Sequence, residues 1–334
     1  MEEEKKLYPF KFCTLQDEYA WGTETFCLAD LGYRDSLVRE GWLAGNSISE
    51  IMDTYLDRVV GDTVYGMYGR QFPVCIRQYA VKGRMPLRVH PDDETAEQRF
   101  DALGKEKLWY VLRAGKDSKV MLGFRRGTDG TELYESCADG SVEKLLNIIA
   151  PHAGQYFRIP PGTPHAAEGD IDIIEIGESS AMDFCLCSWG QPLGADEFDE
   201  TLTIVDALDF IDYRPYGCDS SAEGIRLLSI PQFEVNRLEL ASALEISSER
   251  LDSFVLLSCI SGSASVQLDV LGQTAMFPFE AGQTMLVPCE CTVFRLVPAS
   301  RGTVILETTI PPVQAADPYI NPAAEESLDD EDES

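Results

Sequence analysis

A seven-residue pattern that begins with Gly-Gln and ends with Pro occurs twice in this chain. Residues 154–160 read GQYFRIP and residues 282–288 read GQTMLVP, with glycine, glutamine and proline at matching places. Each copy follows a stretch rich in strand-forming residues, Leu108 to Phe124 in the first case and Leu251 to Leu268 in the second. Two such stretches with glycine turns, each leading into the same short segment, indicate an internal duplication. The repeat therefore predicts two copies of one β-unit.

The predicted strands are short, rich in Val, Ile, Leu and Phe, and separated by turn residues. This pattern favours antiparallel sandwiches or barrels, so we expect a mainly β fold with a few connecting helices. Helical patterns cover the residues from an N-cap at Asp92 or Asp93 through Phe100, from Ser141 to Ile149, and from Glu197 to Ile211.

The helical pattern from Glu197 to Ile211, followed by residues 213–217 (YRPYG), is typical of a bridge between two β-units. We therefore predict an N-terminal domain with helical insertions over residues 1–215 and a C-terminal domain over residues 216–320. Residues 321–334 form an acidic tail, in which seven of the ten residues from Glu325 to Ser334 are acidic. Charge repulsion predicts that this tail is disordered.

The net charge of −30 excludes some classes of partner. It repels phosphate backbones and anionic membrane surfaces, and no dense Lys/Arg cluster offsets it, so we expect no nucleic-acid or membrane partner. The first residues, MEEEKK, are charged rather than apolar, which predicts a cytoplasmic protein. In that setting the ten cysteines are expected to be small buried hydrophobes, and the C-x-C pairs at Cys185/Cys187 and Cys289/Cys291 are weak metal signals.

Two histidine motifs mark a candidate site in the first β-unit. They are residues 88–93 (RVHPDD) and residues 159–165 (IPPGTPH), and the chain has only one further histidine, His152. Gly-x5-Pro followed by a histidine is how a cupin jelly roll supplies the second half of its metal site. In the first copy of the repeat this histidine is His165, whereas the second copy has Val293 at the same offset. We therefore expect the second unit to lack metal ligands and to have a structural or interface role.

Together the motifs resemble the type I mannose-6-phosphate isomerases, in the shorter bacterial form built from two cupin domains. The motifs that carry the resemblance are residues 19–22 (YAWG), 89–93 (VHPDD), 104–110 (GKEKLWY), 159–166 (IPPGTPHA) and 189–190 (WG). The resemblance implies two jelly-roll barrels, a zinc cofactor, and interconversion of mannose 6-phosphate and fructose 6-phosphate. It also implies a sugar phosphate as the small-molecule partner, and it does not indicate a protein partner.

The resemblance implies four zinc-ligand positions, and two of them are altered here. The family uses a glutamine, a histidine, a glutamate and a second histidine, which correspond to Arg88, His90, Lys107 and His165. A charged ammonium has no lone pair to donate and repels a divalent ion, so Lys107 is the more serious departure. Neighbouring side chains on a strand face opposite sides, but a one-residue bulge could bring Glu106 inward as a substitute.

The proposed catalytic residues are also only partly retained. A family arginine thought to steady the enediolate corresponds to Cys185, and a neutral thiol cannot stabilise an oxyanion as a guanidinium does. Lys105 matches the family lysine two positions before the metal glutamate, and Glu175 matches a further family glutamate. Lys105 and Glu175 are therefore the catalytic candidates.

Two interpretations follow from these departures. In the first, His90 and His165 hold a weakened metal, Lys105 contacts the substrate or shuttles a proton, and the chain remains an isomerase. In the second, zinc and catalysis are lost, and a cationic pocket formed by Arg88, Lys105 and Lys107 binds a sugar phosphate or another small anion. Within the second interpretation, Lys107 could instead pair with Glu175 or Glu178 and fill the metal position with a salt bridge.

Overall fold

The computed structural model describes residues 5–191, 203–217, 224–270 and 273–312. Its α-helices are α1 (Ile48–Tyr55), α2 (Asp57–Val60), α3 (Asp62–Tyr68), α4 (Asp93–Phe100), α5 (Gly130–Asp139) and α6 (Ile204–Ala207). Its strands are β1 (Phe10–Lys11), β2 (Leu15–Tyr19), β3 (Gly22–Leu28), β4 (Val74–Val81), β5 (Leu87–Val89), β6 (Lys107–Ala114), β7 (Lys119–Phe124), β8 (Leu146–Ile149), β9 (Tyr156–Ile159), β10 (His165–Glu168), β11 (Ile171–Glu178), β12 (Phe184–Cys187), β13 (Arg226–Ser229), β14 (Glu234–Leu240), β15 (Leu244–Ser247), β16 (Val255–Ser261), β17 (Ser263–Val270), β18 (Gln273–Glu280), β19 (Thr284–Val287), β20 (Val293–Pro298) and β21 (Thr303–Thr309).

The described residues divide into two compact units. The histidine unit comprises residues 12–39, 72–191 and 203–217, and the second unit comprises residues 5–11, 40–71, 224–270 and 273–312. Backbone hydrogen bonds join residues from the N-terminal part of the chain to the second unit. Strand β1 pairs antiparallel with β19, and Cys289 N–H donates to Val59 O at 2.8 Å. The predicted continuous domain over residues 1–215 is therefore corrected: residues 5–11 and 40–71 pack with the C-terminal β-unit. Residues 321–334 lie outside the described residues.

The histidine unit contains two antiparallel sheets. One has five strands in the order β12-β5-β10-β7-β8, and the other has six in the order β2-β3-β4-β11-β6-β9. Its apolar core draws side chains from both sheets, including Leu87 and Met121 from the first and Tyr79, Trp109 and Ile173 from the second. Burial of such side chains is the main term that stabilises a two-sheet unit.

The second unit has the same kind of architecture. Its sheets have the orders β1-β19-β16-β21-β14-β13 and β15-β20-β17-β18, again antiparallel. Apolar side chains such as Val255, Leu257, Val266 and Leu296 form its core. The prediction of a mainly β fold with two jelly-roll units is thereby confirmed.

The internal repeat has a structural basis in two equivalent turns. Gly154 and Gly282 have φ angles of 85° and 86°, a left-handed conformation that glycine adopts without strain. Gly154 N–H donates to Val111 O at 2.8 Å, and Gly282 N–H donates to Cys259 O at 2.9 Å. The segments after these turns form β9 and β19. The equivalence continues to the first residues of β10 and β20, which are His165 and Val293.

The three helix predictions had different outcomes. Helix α4 is as predicted, with the Asp92 side chain accepting a hydrogen bond from Thr95 N–H as N-cap. The predicted helix from Ser141 to Ile149 is wrong: a 3-10 turn is followed by β8, whose residues Leu146 to Ile149 pair with β7. The third prediction, a helix from Glu197 to Ile211, is met by α6 (Ile204–Ala207) within the residues that the structure describes. Residues 192–202 lie outside those residues.

The helices of the described ranges are too short or too polar to cross a membrane.

Candidate functional site

The two motif histidines meet inside the histidine unit. His90 directly follows β5 and His165 begins β10, where it pairs in register with Arg88 of β5. The ring centroids of His90 and His165 are 5.3 Å apart, and both residues are buried. The Trp109 ring packs edge-on to His165 with centroids 5.4 Å apart. The sequence-predicted histidine pair is therefore a spatial pair.

Both imidazoles are held in the neutral form. Burial, with a contribution from the Lys107 charge, lowers the pKa of His165 to about 3, and the same causes place the pKa of His90 well below its usual value. His165 Nδ1 lies 2.9 Å from Thr163 O, so it donates to this carbonyl and leaves Nε2 with its lone pair. Neither ring nitrogen of His90 has a hydrogen-bond partner among the described residues.

Lys107 lies between two carboxylates at the position expected for a metal-binding glutamate. It is the first residue of β6, and its Nζ is 3.3 Å from Glu175 Oε2 and 3.3 Å from Asp183 Oδ1. Only 2% of Lys107 is exposed. Gly177 faces it from β11, where a Cβ would lie 2.9 Å from the Lys107 Cβ. The absence of a side chain at Gly177 leaves room for Lys107.

Asp183 joins both lysines of the GKEKLWY motif. Its Oδ2 is 2.5 Å from Lys105 Nζ, while its Oδ1 accepts a hydrogen bond from Lys107. Burial alone would raise the pKa of Asp183, but Lys105 and Lys107 outweigh it and hold this pKa well below its usual value. Burial lowers the pKa of Lys105 to about 8, although Asp183 opposes the shift.

The charges continue from Glu175 along the six-stranded sheet. Glu175 Oε2 accepts a hydrogen bond from Trp109 Nε1 at 2.7 Å, and Glu175 Oε1 is 3.8 Å from Arg77 Nε. Arg77 in turn pairs with Glu24 at 2.9 Å. Burial raises the pKa of Glu175, but Lys107 and Arg77 overcome this effect and lower it to about 2.

We call these residues the buried charge network: Glu24, Arg77, Lys105, Lys107, Glu175 and Asp183. Each is at most 9% exposed. Three cations thus face three carboxylates, and the network is electrically balanced by protein groups alone. Such balance is what makes buried charges tolerable in a protein interior.

Glu106 does not take the place of the zinc-ligand glutamate that the resemblance implies at Lys107. Its carboxylate binds Arg158, with an Nε to Oε1 distance of 2.8 Å, and its backbone N–H donates to Glu178 Oε2 at 2.8 Å. With its carboxylate bound to Arg158, Glu106 does not take the inward place that a bulge could have given it, and β6 pairs with β9 in regular register from Lys107 onward. The same contacts show Glu178 beside Glu106, whereas Lys107 pairs with Glu175.

Arg88 and Cys185 are register partners on β5 and β12. Both are partly buried. Because paired residues of antiparallel strands point to the same side of the sheet, Cys185, Arg88 and His165 share one face of the five-stranded sheet. The structure thus brings together the sequence-predicted positions, and it adds Asp183, Arg77 and Glu24, which the sequence analysis did not identify.

The residues present do not fit a zinc ion. Zinc sites use thiolates, imidazoles and carboxylates as lone-pair donors, usually four of them. Within the described ranges no group of three or more His, Cys, Asp or Glu side chains is arranged to hold a metal. Around the histidine pair, the Lys107 ammonium carries the positive charge, and the Glu175 and Asp183 carboxylates are bound to it.

Comparison with known proteins agrees with the fold and the motifs. No family model matches the chain. It is 23% identical over 316 residues to the mannose-6-phosphate isomerase ManA of Bacillus subtilis (strain 168), covering 86% of this chain and 95% of that one. It is also 23% identical over 224 residues to a mannose-6-phosphate isomerase of Streptococcus mutans, covering 65% and 68% of the two chains.

Solved structures show the same fold. The mannose 6-phosphate isomerase from Bacillus subtilis matches with a TM-score of 0.76 and 20% identity, over 90% of this chain and 99% of that chain. A zinc-bound mannose 6-phosphate isomerase matches with a TM-score of 0.68 and 14% identity, over 92% and 100%.

The protein therefore has the two-unit β fold seen in phosphomannose isomerases, with a histidine pair in one unit. These similarities support the resemblance found in the motifs: over most of its length the chain is similar to mannose-6-phosphate isomerases at 23% identity, and it shares their fold.

Proposed function

We propose that this mannose-6-phosphate isomerase-like protein has lost zinc and with it efficient isomerisation of mannose 6-phosphate. The observation that supports this proposal is the position of Lys107, whose Nζ is 3.3 Å from both Glu175 and Asp183. Lys107 supplies the positive charge that a metal ion supplies in a zinc-bound site. The Lys107 ammonium therefore replaces the positive charge of a zinc ion, but it cannot coordinate a substrate oxygen as zinc does.

Isomerisation of an aldose to a ketose moves a proton between C1 and C2 through an enediol. The reaction needs a base, and it needs a Lewis acid or an available cation on the substrate oxygens. Lys107 is already bound by two carboxylates, and Cys185 provides no positive charge. At these two positions a developing oxyanion would therefore lack the electrostatic stabilisation that usually contributes most to such a step.

The two catalytic candidates are both engaged in the network. Glu175, with its pKa lowered to about 2, is a weak base and is fixed by Trp109 and Lys107. Lys105, with its pKa lowered to about 8, could exchange a proton near neutral pH, but its Nζ is 2.5 Å from Asp183. Lys105 is thus the residue through which any residual activity would run.

The alternative function is binding of a sugar phosphate or another small anion through Arg88, Lys105 and Lys107. It receives less support, because Lys105 and Lys107 are at most 2% exposed and each is paired with a carboxylate. An anion would have to displace Asp183 from both lysines. A rise in the melting temperature of the protein on addition of mannose 6-phosphate would favour this alternative, provided that the Lys105→Met variant shows no such rise.

The direct test is interconversion of mannose 6-phosphate and fructose 6-phosphate by the full chain, with added zinc. We expect turnover well below about 1 s⁻¹, which is itself a low rate for an enzyme. The double variant Lys107→Glu/Cys185→Arg should gain activity, whereas the surface control Lys119→Glu should not. Turnover at or above that rate by the unmodified chain would contradict the proposal.

We also propose a cytoplasmic location. The nine cysteines within the described ranges form no disulfide bonds, which suits a reducing compartment.

A further inference from the structure

A groove with a volume of about 1040 Å³ runs along one side of the second unit. One wall is formed by strand β18, including Thr274, Met276 and Phe277, and the other by Tyr8 and Trp42 from the N-terminal segments of the same unit. This volume is at the upper end of the range for small-molecule pockets, so the groove also has room for a short peptide.

Strand β18 presents an open edge to this groove. It is the last strand of its sheet and pairs with β17. Ala281 N–H donates to Gly262 O at 3.0 Å just beyond the two strands, and hydrogen-bonded pairs alternate with non-bonded pairs in an antiparallel ladder. The backbone groups of Thr274, Met276 and Pro278 therefore point away from β17.

Only part of this edge is protected. Lys11 Nζ donates to Pro278 O at 2.7 Å, and Pro278 has no N–H of its own, so this end of the edge cannot pair with another strand. Among the described residues, the backbone groups of Thr274 and Met276 on this edge have no hydrogen-bond partner. Open edge groups of this kind are the template on which an added strand pairs.

The opposite wall is a fixed aromatic cluster. The Tyr8 ring stacks on Phe277 with centroids 6.0 Å apart and lies 5.9 Å from the Trp42 ring. The Tyr8 hydroxyl donates to Glu40 O at 2.7 Å and accepts a hydrogen bond from Leu43 N–H at 3.1 Å. Trp42 nevertheless remains 37% exposed. The groove therefore offers a large aromatic ring whose surroundings are already in place.

The Trp42 ring receives a cation from the chain itself. Lys5 Nζ lies 5.3 Å from the ring centroid, and Lys5 is an exposed residue. Glu40 and Asp269 line the same groove, and the Glu40 side chain is 55% exposed although it pairs with Lys11. Tryptophan is the ring that binds a lysine or arginine side chain best. The net charge of −30 also attracts basic partners over a longer range.

We propose that this groove binds an extended basic segment of a partner protein. The segment adds a strand to the edge at residues 274–276 and lays a lysine or arginine side chain over Trp42, in the place that Lys5 occupies. Successive side chains of an added strand point to opposite sides, so every second residue faces the aromatic wall. The site lies in the second unit and does not depend on the buried charge network or on the proposed loss of zinc.

The test titrates the full chain with the peptide acetyl-TKVKT-amide, and with acetyl-TEVET-amide as the charge-reversed control. Calorimetry should show binding of the basic peptide and at least about tenfold weaker binding of the acidic one. Amide hydrogen exchange, measured residue by residue by NMR, should slow at Thr274 and Met276 in the presence of the basic peptide. The amides of Ala275 and Phe277 serve as internal controls, because they already face β17 and should not change.

Three variants separate the two halves of the site. Trp42→Ala should weaken binding of the basic peptide about tenfold, and Lys5→Ala should bind it at least as tightly as the unmodified chain. Met276→Pro removes an N–H of the open edge, as Pro278 does at its own position, and should abolish the slowed exchange at Thr274. Its matched control Met276→Ala keeps the N–H and should retain the effect. Circular dichroism confirms that each variant is folded.

Three results would overturn the proposal. They are no binding of the basic peptide at about 1 mM, equal binding of the two peptides, and binding without slower exchange at Thr274 and Met276. Sedimentation that shows a dimer of the unmodified chain and a monomer of Met276→Pro would also overturn it, because the edge would then pair with a second copy of this chain.

Discussion

The Nζ atom of Lys107 lies 3.3 Å from Oδ1 of Asp183, and the other carboxylate oxygen of Asp183 lies 2.5 Å from Nζ of Lys105. One acidic residue just before β12 therefore pairs with both lysines of a motif at the start of β6. This relationship explains how a lysine can be tolerated where related proteins are expected to place a zinc ligand. It also makes the cost of removing Lys107 predictable.

Replacing Lys107 with methionine should destabilise the protein strongly. The Lys107→Met variant leaves Glu175 and Asp183 with less compensating charge in the interior, and breaking a buried ion pair by removing one partner costs about 3–5 kcal/mol. The free energy of unfolding, measured by urea titration, tests this. Lys119→Met is the control, because Lys119 is 39% exposed and its pairs with Glu143 and Glu168 should be worth no more than about 1 kcal/mol. Equal losses of unfolding free energy in the two variants would contradict the stabilising role of Lys107 in the buried charge network.

Lys105 and Asp183 should be energetically coupled. Either single variant, Lys105→Met or Asp183→Asn, leaves a buried charge short of its partner, whereas the double variant removes both charges of the pair. We expect the double variant to be less destabilised than the sum of the single variants by about 1–3 kcal/mol. A double-mutant cycle of unfolding free energies measures this coupling. Simple additivity would show that the 2.5 Å contact has little energetic importance.

Stability should fall at acid pH as Glu175 takes up a proton. Its pKa in the folded protein is lowered to about 2, below the ordinary value of 4.5. The unfolded chain therefore binds this proton first, so the stabilisation is complete above pH 4.5 and is lost as the pH falls towards 2. Unfolding free energies measured between pH 6 and pH 3 should show the upper part of this decrease. Glu175→Gln should flatten the profile, and Glu245→Gln, which removes an exposed carboxylate, serves as the control.

A single substitution should create affinity for zinc. In Lys107→Glu one cation of the buried charge network becomes a carboxylate, so two cations face four carboxylates and one divalent ion would restore neutrality. His90 and His165 lie beside this position as neutral imidazoles. We expect the variant to take up one zinc per chain in equilibrium dialysis. Adding His90→Gln to it should reduce the uptake sharply; undiminished uptake would place the ion elsewhere.

The fold could be predicted from the sequence where local pattern and tertiary structure agree. Gly154 and Gly282 require the same left-handed turn, so the repeat correctly predicted two equivalent β-units. Ser141 to Ile149 was wrongly predicted as a helix because its apolar spacing also suits a strand, and pairing with β7 decided the outcome. The N-terminal residues were placed in the wrong unit, since the pairing of β1 with β19 joins residues far apart in the chain.

The site was predictable only in part for a related reason. His90, His165 and Lys107 lie in motifs that can be aligned by spacing. Asp183 lies where the family pattern is lost, and its reach to Lys105 and Lys107 depends on the packing of two sheets. A signal was available in Arg77, which is the one charged residue of the largely apolar strand β4 (VCIRQYAV), because a charge in a buried strand requires a partner such as Glu24.

The most direct test of the central claim is the zinc content of the unmodified protein, purified without chelator and measured by elemental analysis beside Lys107→Glu. If Lys107 replaces the metal, the unmodified chain should hold well below one zinc per chain, and the variant should approach one. One tightly held zinc in each unmodified chain would contradict this account.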